Sequence, residues 1–67
     1  MFGQNLKRLR LKSHLTQAQV AESAQIHKRY YQDLEACLKI PSVVIAARLR
    51  KALRCEWADL TKGILEK

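Results

Sequence analysis

Residues 16–36, TQAQVAESAQIHKRYYQDLEA, decide the fold, because they read as two short helices joined by a tight turn. Thr16 is a helix start: its hydroxyl can cap orphan backbone N–H groups, and Gln19 three residues later completes a capping box. Ala18, Val20, Ala21 and Ala24 then supply a small apolar surface that lets another helix approach closely. The pattern breaks around Gln25-Ile26 and resumes at His27. At about 100° per residue, Lys28, Arg29, Gln32, Asp33 and Ala36 share one arc of the second helix, and Tyr30, Tyr31 and Leu34 the opposite arc. One face docks on the protein while the other carries long hydrogen-bonding side chains outward. A short helix so divided suits the major groove of DNA, which is wide enough to admit it.

Working outward, residues 2–13 read as helix 1, with Phe2, Leu6 and Leu9 on one stripe and Lys7, Arg8 and Lys12 outside it. Leu11 faces away from that stripe, and Leu15 is expected to plug the core between helices 1 and 2. Helix 2 spans about 17–24 and helix 3 about 27–36. The loop Leu38-Lys39-Ile40-Pro41 follows, and Ser42 can cap helix 4 at about 43–53. Val43, Ala46, Ala47, Leu49 and Leu53 form the expected buried arc of helix 4, with Arg48 and Lys51 projecting away. Arg50 falls inside that arc, where it either snorkels to solvent along its stem or sits at a subunit interface. Helix 5 is expected over about 56–62, with Trp57 and Leu60 inward and Gly63 ending it. Ile64 to Lys67 are expected as a loosely held tail.

With 67 residues, the chain has room for one domain, spanning 1–67, whose core is continuous and whose stability is modest. No strand-like alternation of β-branched residues appears, so the expected class is all-α. Lys and Arg number 13 against 6 Asp and Glu, a formal net charge of +7. That balance points to a polyanionic partner, nucleic acid before anionic membrane. No apolar run approaches the roughly 18–20 residues that a membrane span requires, and no secretory apolar region opens the chain. Two cysteines, Cys37 and Cys55, are too few for a disulfide framework and read as reduced thiols in the cytoplasm. Their spacings with His14 and His27 match no zinc pattern, and no metal or other cofactor is implied. Neither histidine belongs to a nucleophile–base arrangement and no Gly-rich phosphate loop occurs, so an enzyme is not expected.

The segment LTQAQVAESAQIHKRYYQDLEA, residues 15–36, resembles the helix-turn-helix of phage repressor, Cro and XRE-type regulators. Upstream, NLKRLRLKSHLTQ resembles that family's first helix and its entry into the second. Downstream, PSVVIAARLRKALRCEWADL resembles the fourth helix and the start of the fifth. The resemblance covers about residues 5–60 and implies a compact five-helix, lambda-repressor-like domain with the helix-turn-helix in helices 2 and 3. The family often has Gly near His14 and usually has it where this chain has Gln25, Cys37 and Arg54. If the turn keeps its geometry, Gln25 should cost some stability, whereas histidine at 14 tolerates a left-handed conformation better than a β-branched residue would.

By the same resemblance, base edges are read by Lys28, Arg29 and Asp33, with His27 and Gln32 as neighbours. The chemistry fits: Arg can pair with guanine O6 and N7, Lys can donate to the same atoms, and Asp can accept from cytosine N4. Arg29 is the principal reader expected. Lys28 meets a base or a phosphate with equal weight, and Asp33, four residues after Arg29, more readily aims that guanidinium than reads a base itself. Gln17 at the start of helix 2, Lys39 in the following loop and the Tyr30 hydroxyl are the expected phosphate contacts. Arg10 and Glu35 occupy the positions of an Arg–Glu pair that, in the phage repressors, joins helix 1 to the end of the recognition helix. Here they are expected to fix its tilt. The implied function is sequence-specific double-stranded DNA binding by a bacterial or phage-encoded regulator. The expected assembly is a homodimer on a palindromic operator, paired through helix 5 and the tail (Trp57, Ile64, Leu65). The alternative is an antitoxin or other protein-interaction module of the same fold.

Overall fold

The computed structural model describes residues 2–63 of the chain. Five helices follow in order: α1 Phe2–Lys12, α2 Gln17–Ser23, α3 Lys28–Glu35, α4 Val43–Leu53 and α5 Trp57–Leu60. The first four lie within a residue or two of the sequence expectation, while α5 is a single turn rather than the seven residues expected. Helix α1 packs on α3 and α5, and α2 packs on α3 and α4. Leu6, Val20, Ala21, Ala24, Tyr31, Leu34, Leu49, Leu53 and Leu60 are buried in one core, with Phe2, Leu9 and Leu15 against it. Ala18, expected with the apolar face of α2, is exposed. Among the described residues no helix is long and apolar enough to cross a membrane.

Local signals in the sequence set the helix starts. Thr16 Oγ1 accepts from Gln19 N at 3.1 Å while Gln19 Oε1 accepts from Thr16 N at 2.8 Å, the reciprocal capping box. Ser42 Oγ accepts from Ile45 N at 3.2 Å at the start of α4. The ends share one device. His14, Gln25, Cys37 and Arg54 all take left-handed backbone, with φ of 59°, 59°, 62° and 52°. Around each, two N–H groups turn back onto helix carbonyls: Gln25 N reaches Glu22 O at 3.1 Å and Ile26 N reaches Ala21 O at 3.0 Å, for example. The residue after each left-handed position, Leu15, Ile26, Leu38 and Cys55, is apolar or a thiol. The turns thus keep the geometry that favours Gly without having Gly. A left-handed L-residue costs roughly 1–2 kcal/mol, whereas Gly gives back roughly 0.4–1 kcal/mol through its greater freedom in the unfolded chain. Gln25→Gly and Arg54→Gly are therefore each expected to stabilise by about 0.5–1 kcal/mol, read as a higher urea midpoint. Gln25→Ala, which keeps the Cβ, should gain nothing.

Two polar or small residues of α1 fix its position, and sequence reading gave no hint of either. The buried Asn5 amide donates to Leu60 O at 2.7 Å and Lys62 O at 3.0 Å, closing the carbonyl end of α5 onto α1. Gly3 lies so close to the end of α3 that a Cβ there would sit 2.3 Å from Leu34 O and 2.4 Å from Glu35 O.

Two expectations for the lower half need correction. Val43 is 81% exposed and does not join the buried arc of α4, because as the first helical residue it lies beyond the packed surface; Leu49 and Leu53 carry the burial. Trp57 is 46% exposed rather than inward. In a one-turn helix, Leu60 alone fills the core, and the indole lies instead against the Arg50 guanidinium, whose Cζ is 5.5 Å from the ring centroid. Arg50 is accordingly half-buried in the apolar arc, with Nη1 donating to Cys55 O at 3.4 Å and Nε buried without an acceptor.

Candidate nucleic-acid interface

Helix α3 exposes the ridge its sequence pattern implies. Tyr31 and Leu34 are buried beneath it, whereas Lys28 is exposed and the Arg29 side chain is 85% exposed. Asp33 is only 15% exposed and lies between two cations: Arg29 Nε is 3.4 Å from Oδ1 and Lys39 Nζ is 3.8 Å from Oδ2. The carboxylate steers both side chains, and because the two cations stand largely in solvent the pairs add little to stability themselves. Lys39 also sits over the Tyr30 ring, 5.7 Å from its centroid, so the half-buried Tyr30 supports the loop cation. His27 is exposed at the N-cap of α3 and makes no side-chain capping bond.

Behind the ridge, Arg10 and Glu35 meet as expected. Arg10 Nε is 2.6 Å from Glu35 Oε2 and Nη2 is 3.2 Å from Oε1, a two-pronged contact with side chains 11% and 5% exposed. Arg10 Nη1 also donates to Leu15 O at 3.0 Å, tying the pair to the turn before α2. Burial works to raise the Glu35 pKa, but hydrogen bonds from Arg10 and Gln17 and the adjacent Tyr31 phenol outweigh it and hold the carboxyl below its ordinary 4.5. The Tyr31 hydroxyl is buried close to that carboxylate but outside hydrogen-bonding geometry. Burial first, then Glu35, pushes the phenol far up and keeps it neutral.

Gln17, expected at a phosphate, is half-buried and points inward. Its Nε2 donates to Glu35 Oε1 at 3.2 Å, and its Oε1 accepts from Gln32 Nε2 at 3.3 Å. The structure therefore joins Gln17 and Gln32 to the Arg10–Glu35 pair in one network. No motif or periodicity announces this link between amides 15 residues apart in the chain.

A helix-turn-helix family profile matches residues 6–60, most of the chain, from within α1 to the end of α5. The chain belongs to the helix-turn-helix family. Within it, the chain is 36% identical over 57 residues to the uncharacterized HTH-type transcriptional regulator YqaF of Bacillus subtilis (strain 168), covering 85% of this chain and 75% of that protein. Its fold is similar to the crystal structure of the restriction-modification controller protein C.AhdI from Aeromonas hydrophila. The TM-score is 0.85 at 30% identity, over 88% of this chain and 89% of the other.

Proposed function

We propose that this helix-turn-helix protein is a sequence-specific double-stranded DNA-binding transcription regulator, acting in the cytoplasm with α3 in the major groove. The observation that carries the reading is the outward ridge of Lys28 and Arg29, anchored below by Tyr31 and Leu34 and steered from the side by Asp33. Arg29 is the principal base reader, with Lys28, Gln32 and His27 beside it. Asp33 serves by aiming Arg29, and Lys39 over Tyr30 meets a phosphate. Gln17 joins that contact only through the amide hydrogen its two internal bonds leave over. The names of the relatives, a transcriptional regulator and a restriction-modification controller, support the same class.

The test separates the two kinds of contact. Arg29→Ala is expected to flatten sequence preference, whereas Lys39→Ala should weaken binding to every duplex alike and reduce the salt slope by about one. Identical behaviour of the two variants across a set of duplexes would contradict the division of roles.

A homodimer on a palindromic site is the assembly that fits, because one module of this size offers a small interface. Supporting it is an exposed apolar face: Ile40 is 92% exposed, and Val43, Val44 and Trp57 are exposed with it. Most of them border a groove of about 540 Å³ that also takes in Phe2 and Ala46. The face lies on α4, α5 and the loop before α4; Ile64 and Leu65, the other expected contacts, lie outside the described residues. Equilibrium sedimentation at micromolar concentration should give a dimer, and Val43→Asp should give a folded monomer. A strict monomer, free and on DNA, would contradict this assembly.

A further inference from the structure

We infer that Asp33 sets the margin between preferred and arbitrary DNA: its carboxylate lowers the affinity of this chain for duplexes of arbitrary sequence while leaving the guanine contact of Arg29 available. This rests on the DNA-binding reading above and goes beyond it, by giving one residue of the reading face a role that opposes binding.

Asp33 is the one acid on the outward side of α3, since Glu35, the other acid of that helix, is buried against Arg10. At about 100° per residue it stands roughly 40° beyond Arg29, on the side of Tyr30, whose ring carries Lys39. Its Oδ1 is 3.4 Å from Arg29 Nε, and its Oδ2 is 3.8 Å from Lys39 Nζ. The cation assigned to a base and the cation assigned to a phosphate are thus both shared with a group that phosphate repels.

Binding to arbitrary sequence consists almost wholly of cations on phosphates. For such contacts Lys39 Nζ must leave Oδ2, and the Arg29 guanidinium must swing off the ridge and leave Oδ1. The carboxylate then faces the polyanion with neither cation beside it. A guanine contact makes no such demand on Arg29. Nε is the nitrogen turned to Asp33, so Nη1 and Nη2 remain to donate to O6 and N7 while Nε stays in place. The penalty from Asp33 falls more heavily on the phosphate-bound arrangement than on the base-bound one, and that difference is discrimination. Each ion pair is weak alone because its cation is solvated, so the expected changes are several-fold.

The experiment uses the full chain, a preferred duplex selected from a random pool, and a scrambled duplex of the same length and composition. Asp33→Asn, which removes the charge at nearly constant shape, should bind the scrambled duplex about threefold to tenfold more tightly than wild type. Its ratio of preferred to scrambled affinity should fall by about tenfold, with the preferred duplex within about threefold of wild type. Asp33→Glu, which keeps the charge, should leave scrambled binding at the wild-type level. In an Arg29→Ala background, Asp33→Asn should no longer lower the ratio. Scrambled binding that is unchanged or weaker in Asp33→Asn overturns the inference, as does an undiminished ratio. Lost preference at a base pair that Arg29→Ala leaves alone would make Asp33 a base reader itself and overturn it too. In all these cases sequence reading by α3 stands. A wild-type chain that binds both duplexes equally would overturn that reading as well.

Discussion

Arg10→Ala is expected to destabilise the domain by about 3–5 kcal/mol, because it strands the Glu35 carboxylate, 5% exposed, without its cation. In a domain of this size that is most or all of the folding free energy, so the variant should be largely unfolded at 37 °C and near neutral pH. The loss measures a stranded charge, and the pair itself is worth far less. Replacing both partners with apolar residues, as in Arg10→Met with Glu35→Met, should restore most of the stability, since desolvation offsets much of the attraction in a buried pair. The pH dependence gives a second reading with a definite sign. The Glu35 pKa is held below its ordinary 4.5 in the folded protein. The pair's contribution is therefore complete above that ordinary value, and falls away as pH drops through the lower folded value. In Arg10→Ala the lone buried carboxylate gains by taking a proton, so the deficit relative to wild type should narrow in acid. A constant deficit from pH 7 to pH 3 in urea titrations, or additive effects in the double variant, would mean that Arg10 stabilises by packing alone.

Gly3→Ala is the second large effect. In an ordinary helix this change stabilises by up to about 1 kcal/mol, since Ala loses less backbone freedom on folding. Here the added methyl would stand 2.3 Å from Leu34 O and 2.4 Å from Glu35 O, and neither backbone oxygen can swing aside as a side chain could. Helix α1 must back away from α3, at a cost of about 1–3 kcal/mol or more. The retreat also stretches the Arg10–Glu35 contact, which spans the same two helices. Thermal unfolding should show a lower Tm for Gly3→Ala, and a still lower one for Gly3→Val. A raised Tm would contradict the close approach of α1 to α3.

How far the sequence could be read depended on the range over which each feature is decided. The Thr16–Gln19 capping box and the four left-handed turns are settled within six residues, by side chains and backbone that are neighbours in the chain. Those were legible. The division of α3 into a buried Tyr31–Leu34 side and an exposed Lys28–Arg29 side was legible too, since eight residues span more than two turns of a helix. Trp57 was misplaced for the opposite reason: α5 has only four residues, too few for periodicity to define a face. Arg10 and Glu35, 25 residues apart, became a pair only through the family resemblance. Asn5 with Leu60, Gly3 with the end of α3, and Gln17 with Gln32 depend on how helices are brought together, and no local pattern encodes them. The placement of Gln17 has the largest bearing on function, because an amide expected at a phosphate also bonds Glu35 and Gln32.

Selection of bound duplexes from a random pool by the wild-type chain tests most directly whether the outer ridge of α3 reads bases. The expected result is enrichment of an inverted repeat with half-sites about one helical turn apart, whose preferred bases change when Arg29→Ala replaces wild type. A pool that remains random after repeated rounds, or one enriched identically by the Arg29 variant, would show that this ridge is not the reading surface.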